Sequence, residues 1–349
     1  MKWLRKDLEK IIKLAKKVDL KEKRTLPIIN GIAFDEAGAR FTNLDSIAIC
    51  SDLCTNGEKF VLDMKKLDAV CKASKDPLVA VSIVSGEKVK VDKFTLSTMD
   101  YGQFPIIPEF VAGESGGVIT NEKVVVLQKI IRNVLEKKER GIVNSICFKG
   151  DQFFGTDGGI IAMVKNLQIN TGSDISFMLE HSALSGLEGF DKLTMTFEVA
   201  KHRKAVKFIQ DNLELICHTS DYAIPNIWRV LYDDFDASFE VNVKLLKKEL
   251  KTAKRIFKDS AFLPFNNFAD NGIFSVIHEG EEMELEGISG AYGFLYRFSG
   301  YSMLKILETT DKDFLTFNFG KPGERGVAQM PIAETKDELY LICPMRRRR

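Results

Sequence analysis

Hydrophobic positions along the chain switch repeatedly between the spacing of a helix and that of a strand. In the first third, apolar residues recur every three or four positions over residues 5–18 and again over residues 63–73, which predicts two amphipathic helices. A strand initiated at Pro27 is predicted between them, over residues 24–32. Three further strands are predicted after the second helix, over residues 78–84, 88–93 and 94–99. Two prolines, Pro105 and Pro108, end this segment.

The same order of elements then occurs twice more. The second segment predicts helices over residues 121–138 and 180–189, and the third predicts helices over residues 243–258 and 301–309. The strands predicted around these helices cover residues 140–146, 192–199, 205–210, 213–219, 237–241, 261–267, 273–278, 282–288, 294–298, 314–319, 326–333 and 338–343.

Three prolines mark the ends of the segments at nearly equal intervals. Pro105, Pro225 and Pro344 stand 120 and 119 residues apart. This spacing predicts an α+β fold with three tandem copies of one domain, each with two helices and about eight strands. The copies would cover residues 1–113, 114–233 and 234–349, and a coincidental threefold spacing is the alternative.

A short glycine-containing stretch in the second segment has two possible interpretations. Asp157, Gly158 and Gly159 lie between two apolar runs, which is typical of a tight β-hairpin turn. A catalytic aspartate or a phosphate-binding loop is the alternative, but the glycine spacing matches neither common nucleotide-binding motif. The sequence offers Asp157 no second convergent acid, no histidine partner and no recognisable nucleotide loop, so an enzyme that uses this aspartate is the less favoured interpretation.

The composition excludes several classes of protein. The chain has 349 residues, 45% of them hydrophobic, and 50 basic against 49 acidic residues give a net charge of only +1. The six cysteines form no C-x-x-C pair and the four histidines are far apart, so we expect free thiols, no metal site and no cofactor. The N-terminus has no secretory pattern and no apolar run is long enough to span a membrane, which favours a cytoplasmic protein.

Positive charge is concentrated on the first helix of each segment. The helix predicted over residues 243–258 carries seven basic residues and the single acid Glu249. One lysine-rich face is usually only a solvated surface, but three such helices favour contacts with a phosphate backbone, without readout of base sequence. The candidates for these contacts are Lys10, Lys13, Lys17, Arg24, Lys129, Arg132, Arg140, Lys247, Lys251 and Lys254.

Two predicted strands have complementary charges. Glu282, Glu284 and Glu286 would point to one face of a strand, and Lys90 and Lys93 belong to a basic strand of the first segment. An acidic strand can simply protect a sheet edge from aggregation. The alternative is a head-to-tail contact between two chains, with Phe94 beside the lysines, and such a contact closes a ring by symmetry.

Several short motifs, spread over the whole chain, resemble the bacterial DNA polymerase III β subunit, the sliding clamp. They are Thr25-Leu26-Pro27-Ile28, Phe94-Thr95-Leu96-Ser97-Thr98 with Phe104-Pro105, Thr156-Asp157-Gly158, Ile224-Pro225 with Arg229-Val230, and Tyr340-Leu341-Ile342-Cys343-Pro344-Met345-Arg346. The resemblance implies three DNA-clamp domains, a head-to-tail homodimeric ring around duplex DNA in the cytoplasm, associated with the nucleoid, and no catalytic activity. It also implies an ATP-driven clamp loader as a partner. A clamp-like scaffold that binds partners without encircling DNA is the alternative.

The resemblance also implies an apolar pocket that binds short peptides of DNA polymerase and of other replication and repair proteins. Carried over by motif, its residues are Val143, Thr156, Gly158, Gly159, Ile161, Pro225, Arg229, Val230, Leu341, Ile342, Cys343, Pro344, Met345 and Arg346. The chain departs from the family pattern at some of these positions. Gly159, Ile160 and Ile161 stand where the family has His-Arg-Leu, and Ser299 and Ser302 stand where it has Asn and Tyr. Cys343 replaces a methionine, and the last four residues are all arginine.

Overall fold

The computed structural model describes residues 1–18, 26–135, 141–170, 175–235, 237–257, 264–268, 273–278, 281–290, 297–319 and 330–343. Helices are few in this part of the chain and strands are many. The helices are α1 (Arg5–Val18), α2 (Met64–Ala73), α3 (Asn121–Asn133), α4 (His181–Leu184), α5 (Val243–Ile256) and α6 (Gly300–Thr309).

The strands are β1 (Lys2–Leu4), β2 (Gly31–Asp35), β3 (Gly38–Thr42), β4 (Ser46–Cys50), β5 (Phe60–Asp63), β6 (Leu78–Ser85), β7 (Lys88–Val91), β8 (Phe94–Ser97), β9 (Ala112–Ile119), β10 (Ser145–Lys149), β11 (Gln152–Thr156), β12 (Ile160–Val164), β13 (Gln168–Ile169), β14 (Ser176–Glu180), β15 (Met195–Ala200), β16 (Ala205–Gln210), β17 (Leu213–His218), β18 (Ala237–Asn242), β19 (Pro264–Phe268), β20 (Ile273–His278), β21 (Glu281–Leu285), β22 (Ile288–Gly290), β23 (Arg297–Ser299), β24 (Phe314–Phe319), β25 (Ile332–Glu334) and β26 (Glu338–Ile342).

The chain divides into two compact units, Met1–Val124 with Gln168–Asp221, and Val125–Leu167 with Tyr222–Arg349. The first unit contains a nine-stranded sheet in the order β13-β9-β15-β16-β17-β4-β3-β2-β5 and a four-stranded sheet in the order β1-β6-β7-β8. The pair β17–β4 is antiparallel and joins strands of the predicted first and second domains. Helix α1 buries Leu8, Ile11 and Val18 against this unit. Trp3 stacks on Phe34 with a centroid distance of 4.8 Å.

The second unit has the same kind of architecture. Its own strands form one sheet part in the order β10-β11-β12-β26-β25-β24-β18-β22 and a second sheet in the order β21-β20-β19-β23. The antiparallel pair β12–β26 joins strands of the predicted second and third domains. Because both long sheets continue across predicted domain boundaries, the division into three domains stays a prediction. The ring of Phe239 stacks on that of Phe317 in the core, with a centroid distance of 5.1 Å.

Side-chain caps explain where several helices begin. The Asp63 carboxylate accepts a hydrogen bond from the Lys66 amide at 2.9 Å, so α2 begins at Met64. The amide oxygen of Asn242 accepts from the Leu245 amide in the same way at the start of α5. The predicted helices over residues 5–18, 63–73, 121–138, 243–258 and 301–309 are confirmed within the described residues. Residues 136–138 and 258 lie outside the described residues.

Two predicted strands are wrong at their N-terminal ends. Pro27–Asn30 and Ile142–Asn144 are short 3₁₀ helices, and the strands begin only afterwards, at Gly31 and Ser145. A proline in the first turn of a helix is favourable because its fixed φ suits the helix and its missing amide leaves no donor unpaired. The third entry, at Pro264, does begin a strand.

Two further differences from the predicted elements lie at segments that contain glycines. The helix predicted over residues 180–189 is a single α-turn followed by a 3₁₀ helix over Ser185–Gly189. Gly189 approaches α1 so closely that a β-carbon there would lie 3.0 Å from the Leu14 Cα. The strand predicted over residues 282–288 breaks at Gly287, whose φ of +82° suits only glycine well, and its two halves join different sheets. Glu286 therefore lies beyond the end of β21.

Candidate functional site

The turn between β11 and β12 is the tight hairpin that the sequence predicts. Thr156 pairs with Ile161 across the two antiparallel strands. The Oδ1 atom of Asp157 accepts hydrogen bonds from the amides of Gly159 and Ile160, at 2.8 and 2.9 Å. Gly158 has a φ of +85°, in the left-handed region that favours glycine. The prediction of a hairpin at this position is confirmed.

The second carboxylate oxygen of Asp157 makes a buried ion pair. Its Oδ2 atom accepts from the Lys305 Nζ atom on α6 at 2.6 Å, and the two side chains are 8% and 9% exposed. The Lys305 ammonium group also lies 5.0 Å from the centre of the Tyr301 ring. Both oxygens of Asp157 therefore serve to hold the turn.

An apolar cavity of about 220 Å³ opens beside this turn. It lies entirely within the second unit. Residues from the hairpin, from the segment around Pro225 and from the end of β26 form its wall, together with one residue that precedes β25: Thr156, Gly158, Ile160, Ile161, Pro225, Asn226, Ile227, Val230, Met330, Leu341 and Cys343.

The structure brings seven of the predicted pocket residues together around this cavity: Thr156, Gly158, Ile161, Pro225, Val230, Leu341 and Cys343. Four others lie beside it without lining it, namely Val143, Gly159, Arg229 and Ile342. Gly159 still supports the wall, since its carbonyl accepts from the Cys343 amide at 2.8 Å. Ile342 is fully buried, whereas Arg229 is exposed. Pro344, Met345 and Arg346 lie outside the described residues.

Four residues that line the cavity are missing from the prediction. Ile160, Asn226 and Ile227 adjoin predicted residues in the chain, so their neighbours could have indicated them. Met330 comes from a loop with no motif, and nothing in the sequence points to it. Its carbonyl accepts from the Tyr232 hydroxyl at 2.7 Å, which fixes this part of the wall.

Cys343 contributes a thiol to the cavity wall. Burial raises the pKa of this thiol above its usual value, and the nearby Asp157 carboxylate raises it further. The thiol therefore stays protonated at neutral pH, as an apolar side chain with a weak S–H donor. Its Sγ atom lies 3.3 Å from the Met330 Sδ atom, so two sulfur-containing side chains form one side of the cavity.

Each candidate lysine of α1 has an acidic partner in the first unit. The ammonium group of Lys13 lies 3.2 Å from Asp191, and that of Lys17 lies 2.9 Å from Glu188. Lys10 lies 3.9 Å from Asp211. Arg24 lies outside the described residues. The positive charge of α1 is therefore partly balanced by local acids.

In the second unit, candidate lysines from two helices converge on the C-terminal end of α6. Lys129 on α3 pairs with Asp311, and Lys251 on α5 pairs with Glu308 at 2.8 Å. Lys247 donates to the Leu307 carbonyl at 3.4 Å. A helix C-terminus carries partial negative charge, so these contacts stabilise the helix end. Of the remaining candidates, Lys254 lies 5.2 Å from the Tyr301 ring centre, Arg132 is exposed on α3, and Arg140 lies outside the described residues.

The predicted dimer residues lie on or next to two strands that end their sheets in the described part of the chain: Phe94, Glu282 and Glu284 are on these strands, Lys90 is on the neighbouring β7, and Lys93 is in the turn between β7 and β8. Strand β8 ends the four-stranded sheet of the first unit, and β21 ends the corresponding sheet of the second. Lys90 and Lys93 are exposed, and the Lys93 ammonium group lies 5.5 Å from the Phe94 ring centre. Glu282 and Glu284 on β21 are exposed, as is Glu286 just beyond it.

Two other kinds of site are absent from the part of the chain that the structure describes. No group of three or more His, Cys, Asp or Glu side chains among these residues is placed to hold a metal ion. None of the described helices is both long and apolar enough to cross a membrane.

Comparison with known proteins shows what the fold resembles. No protein-family model matches the sequence, and no curated protein matches it. Among solved structures, the DNA polymerase III β subunit of Thermotoga maritima matches with a TM-score of 0.83 at 17% identity, over 100% of this chain and 99% of that one. A putative β subunit from Eubacterium rectale matches at 0.82 and 14%, over 99% and 98%. The β subunit of Borrelia burgdorferi, in complex with a natural product, matches at 0.82 and 12%, over 99% and 98%.

These similarities cover both chains almost completely. At 12–17% identity they establish the fold, which is that of the sliding clamps. The mixed α+β architecture predicted from the sequence is confirmed, and the resemblance first seen in short motifs extends over the fold of the whole chain.

Proposed function

We propose that this protein is a DNA polymerase processivity factor, a sliding clamp. Two chains form a head-to-tail ring around duplex DNA, and the ring tethers polymerase and other replication and repair proteins. The clamp fold along the full length of the chain is the observation that carries the proposal. The protein acts by topology and tethering and catalyses no reaction; Asp157, the one candidate for catalysis, instead holds a turn.

The cavity beside the Asp157 turn is the docking site for partner peptides. Its wall is almost entirely apolar, with Thr156 and Asn226 as polar exceptions. The Thr156 hydroxyl already donates to the Ile160 carbonyl at 2.6 Å, so the cavity selects chiefly for apolar contact. Burying one Leu or Phe side chain there would contribute about 1.5–3 kcal/mol. Arg229, which is exposed beside the cavity, would contact the peptide at the rim.

The basic residues of α1, α3 and α5 bind the phosphate backbone. Their ion pairs with local acids do not prevent this, because an exposed pair contributes only about 0–1 kcal/mol and can be exchanged for a phosphate. The same ion pairs reduce the net positive charge of the surface that would contact DNA. We therefore expect weak, salt-sensitive contacts that permit sliding.

The edges of two four-stranded sheets form the contact between chains. Strand β8 of one chain would add to β21 of the other, since both have an edge without a strand neighbour in the described residues. Lys93, in the turn that leads into β8, and Lys90, on the adjacent β7, would attract Glu282 and Glu284 and fix the head-to-tail direction. Two equal contacts of this kind close a ring.

The partial neutralisation of α1 favours a second candidate function. In this alternative, the chain is a clamp-like scaffold that binds partner peptides without encircling DNA. Both functions require the pocket, and only the first requires topological retention on DNA.

Peptide binding to the pocket can be tested by calorimetry. A synthetic decapeptide with adjacent leucine and phenylalanine should bind the wild-type protein, and the same peptide with two alanines should not. Val230 lines the cavity and is partly exposed, so Val230→Glu should place a charge against the apolar anchor and weaken binding at least about tenfold.

The matched control is Val111→Glu, which changes an exposed valine of the first unit outside the cavity. It should bind the peptide like the wild type. Equal affinity of both variants for the peptide would contradict the placement of the docking site.

A further inference from the structure

The buried ion pair of Asp157 and Lys305 lies next to the cavity, but neither side chain lines it. We propose that Lys305 is a positioning residue for the pocket: it fixes the Asp157 carboxylate and thereby holds the turn that forms the rim of the cavity. The inference rests on the proposed peptide-binding function of this pocket and adds the element that sets its shape.

Asp157 connects the helix to the turn through both of its oxygens. The Oδ2 atom binds the Lys305 ammonium group at 2.6 Å, while the Oδ1 atom holds the amides of Gly159 and Ile160. A charged partner and two amide donors make charge-assisted hydrogen bonds, which are the strong ones. The position of α6 is thus transmitted through Asp157 to the backbone of Gly159 and Ile160.

Lys305 is itself held firmly on its helix. Helix α6 begins with a cap, in which the Ser299 hydroxyl accepts from the Ser302 amide at 3.2 Å. Met303, Ile306 and Leu307 of the same helix are fully buried. The Tyr301 ring lies 5.0 Å from the Lys305 Nζ atom. The ammonium group therefore has a defined position from which to anchor the carboxylate.

Residues next to the amides that Asp157 holds form part of the cavity wall. Gly158 and Ile160 line the cavity, and the Gly159 carbonyl between them accepts from the amide of Cys343, a third lining residue. Gly159 and Ile160 have no polar side-chain group that could replace the Asp157 carboxylate. Without Lys305, the Asp157 carboxylate would be buried and unpaired, which is strongly unfavourable. It would turn toward water and release the two amides.

Three variants separate this role from a general effect on the fold. Lys305→Met removes the charge, and Lys305→Arg keeps it. The double variant Asp157→Asn with Lys305→Met removes both charges but keeps an amide oxygen that can cap the turn. The control is Lys165→Met, which breaks the Lys165–Glu334 pair of the same unit outside the cavity.

Binding of the leucine–phenylalanine decapeptide gives the first measurement. We expect Lys305→Met to bind about tenfold more weakly, mainly through faster dissociation, because the rim is no longer pre-organised. Lys305→Arg, the double variant and Lys165→Met should stay within about threefold of the wild type. If Lys305→Met binds like Lys165→Met, or if the double variant is as weak as Lys305→Met, the inference is wrong.

Amide hydrogen exchange without peptide gives the second measurement, which does not depend on the function of the pocket. Exchange at Gly159 and Ile160 should be at least about tenfold faster in Lys305→Met and unchanged in Lys165→Met. Unchanged exchange in Lys305→Met would overturn the positioning role even if the peptide binds. If exchange at Gly159 and Ile160 is faster in Lys305→Met as expected, but the wild-type protein binds no peptide, the result would count against the proposed function alone.

Discussion

At the scale of single residues, the pocket depends on a backbone conformation that few side chains can adopt. Gly158 lines the cavity with a φ of +85°, and a β-carbon there would meet only Val143 Cγ1, at 3.9 Å. Space is therefore not the constraint at this position. The constraint is the left-handed backbone, which costs a β-branched residue about 1–3 kcal/mol.

Gly158→Val tests this constraint. The valine should force the turn out of its left-handed conformation and place methyl groups at the cavity, so the peptide affinity should fall at least about tenfold while the dimer stays intact. Calorimetry and sedimentation velocity measure the two properties on one sample.

Gly150→Val provides a control with the same backbone requirement. Gly150 lies in the turn between β10 and β11 with a φ of +58°, and a β-carbon there would meet no atom within 4 Å. The variant should lose stability to a similar extent and keep its peptide affinity. Loss of both peptide binding and dimer in Gly158→Val would mean that the turn serves the fold and not the pocket.

The sequence allowed many of the pocket residues to be found, and physical reasons explain the rest. Asp157 and Gly158 have a recognisable turn pattern, and apolar runs flank them on both sides. Met330 is brought to the cavity only by tertiary packing. Tertiary packing also creates the ion pair of Lys305 with Asp157, which is far away in the chain. A lysine within an amphipathic helix has no local feature that distinguishes a buried ion pair from a solvated surface.

At the scale of secondary-structure elements, sheet edges determine how two chains could join. The long sheets pair strands of neighbouring predicted domains, as in β17–β4 and β12–β26. The four-stranded sheets instead end at β8 and β21. Periodicity identified most of these strands, but it could not show that Gly287 separates the acidic strand from its continuation, because only the fold requires that break.

Charge reversal on one edge should weaken the dimer, and reversal on both edges should restore it. Lys90→Glu with Lys93→Glu places negative charges on β7 and in the β7–β8 turn, next to the β8 edge, where they repel Glu282 and Glu284. The dimer dissociation constant should therefore rise at least about tenfold at low salt. Adding Glu282→Lys and Glu284→Lys in the same chain should return it toward the wild-type value.

The matched control changes two exposed lysines of α2, with Lys65→Glu and Lys66→Glu. Sedimentation equilibrium at several salt concentrations measures all four proteins. An unchanged dimer in the first variant, or a failure of the second pair of substitutions to restore it, would contradict edge-to-edge pairing.

At the scale of the whole molecule, the proposed function depends on closure around DNA and not on tight binding to it. Several candidate lysines, for example Lys13 and Lys17, already form ion pairs with acids. Their contacts with phosphate would therefore be weak and sensitive to salt. A closed ring does not need stronger contacts, because it leaves DNA only by opening or by sliding off an end. Neither composition nor net charge could show this, since the chain is nearly neutral overall.

Retention on circular DNA tests the central claim most directly. Labelled protein is assembled on nicked plasmid with a bacterial clamp loader and ATP, washed in high salt to remove phosphate contacts, and divided into two halves. One half is linearised with a restriction enzyme, and both are separated by gel filtration. We predict that the protein stays with the circular plasmid and is lost from the linear one. Equal retention on both forms would contradict a ring around DNA and would leave the scaffold as the better account.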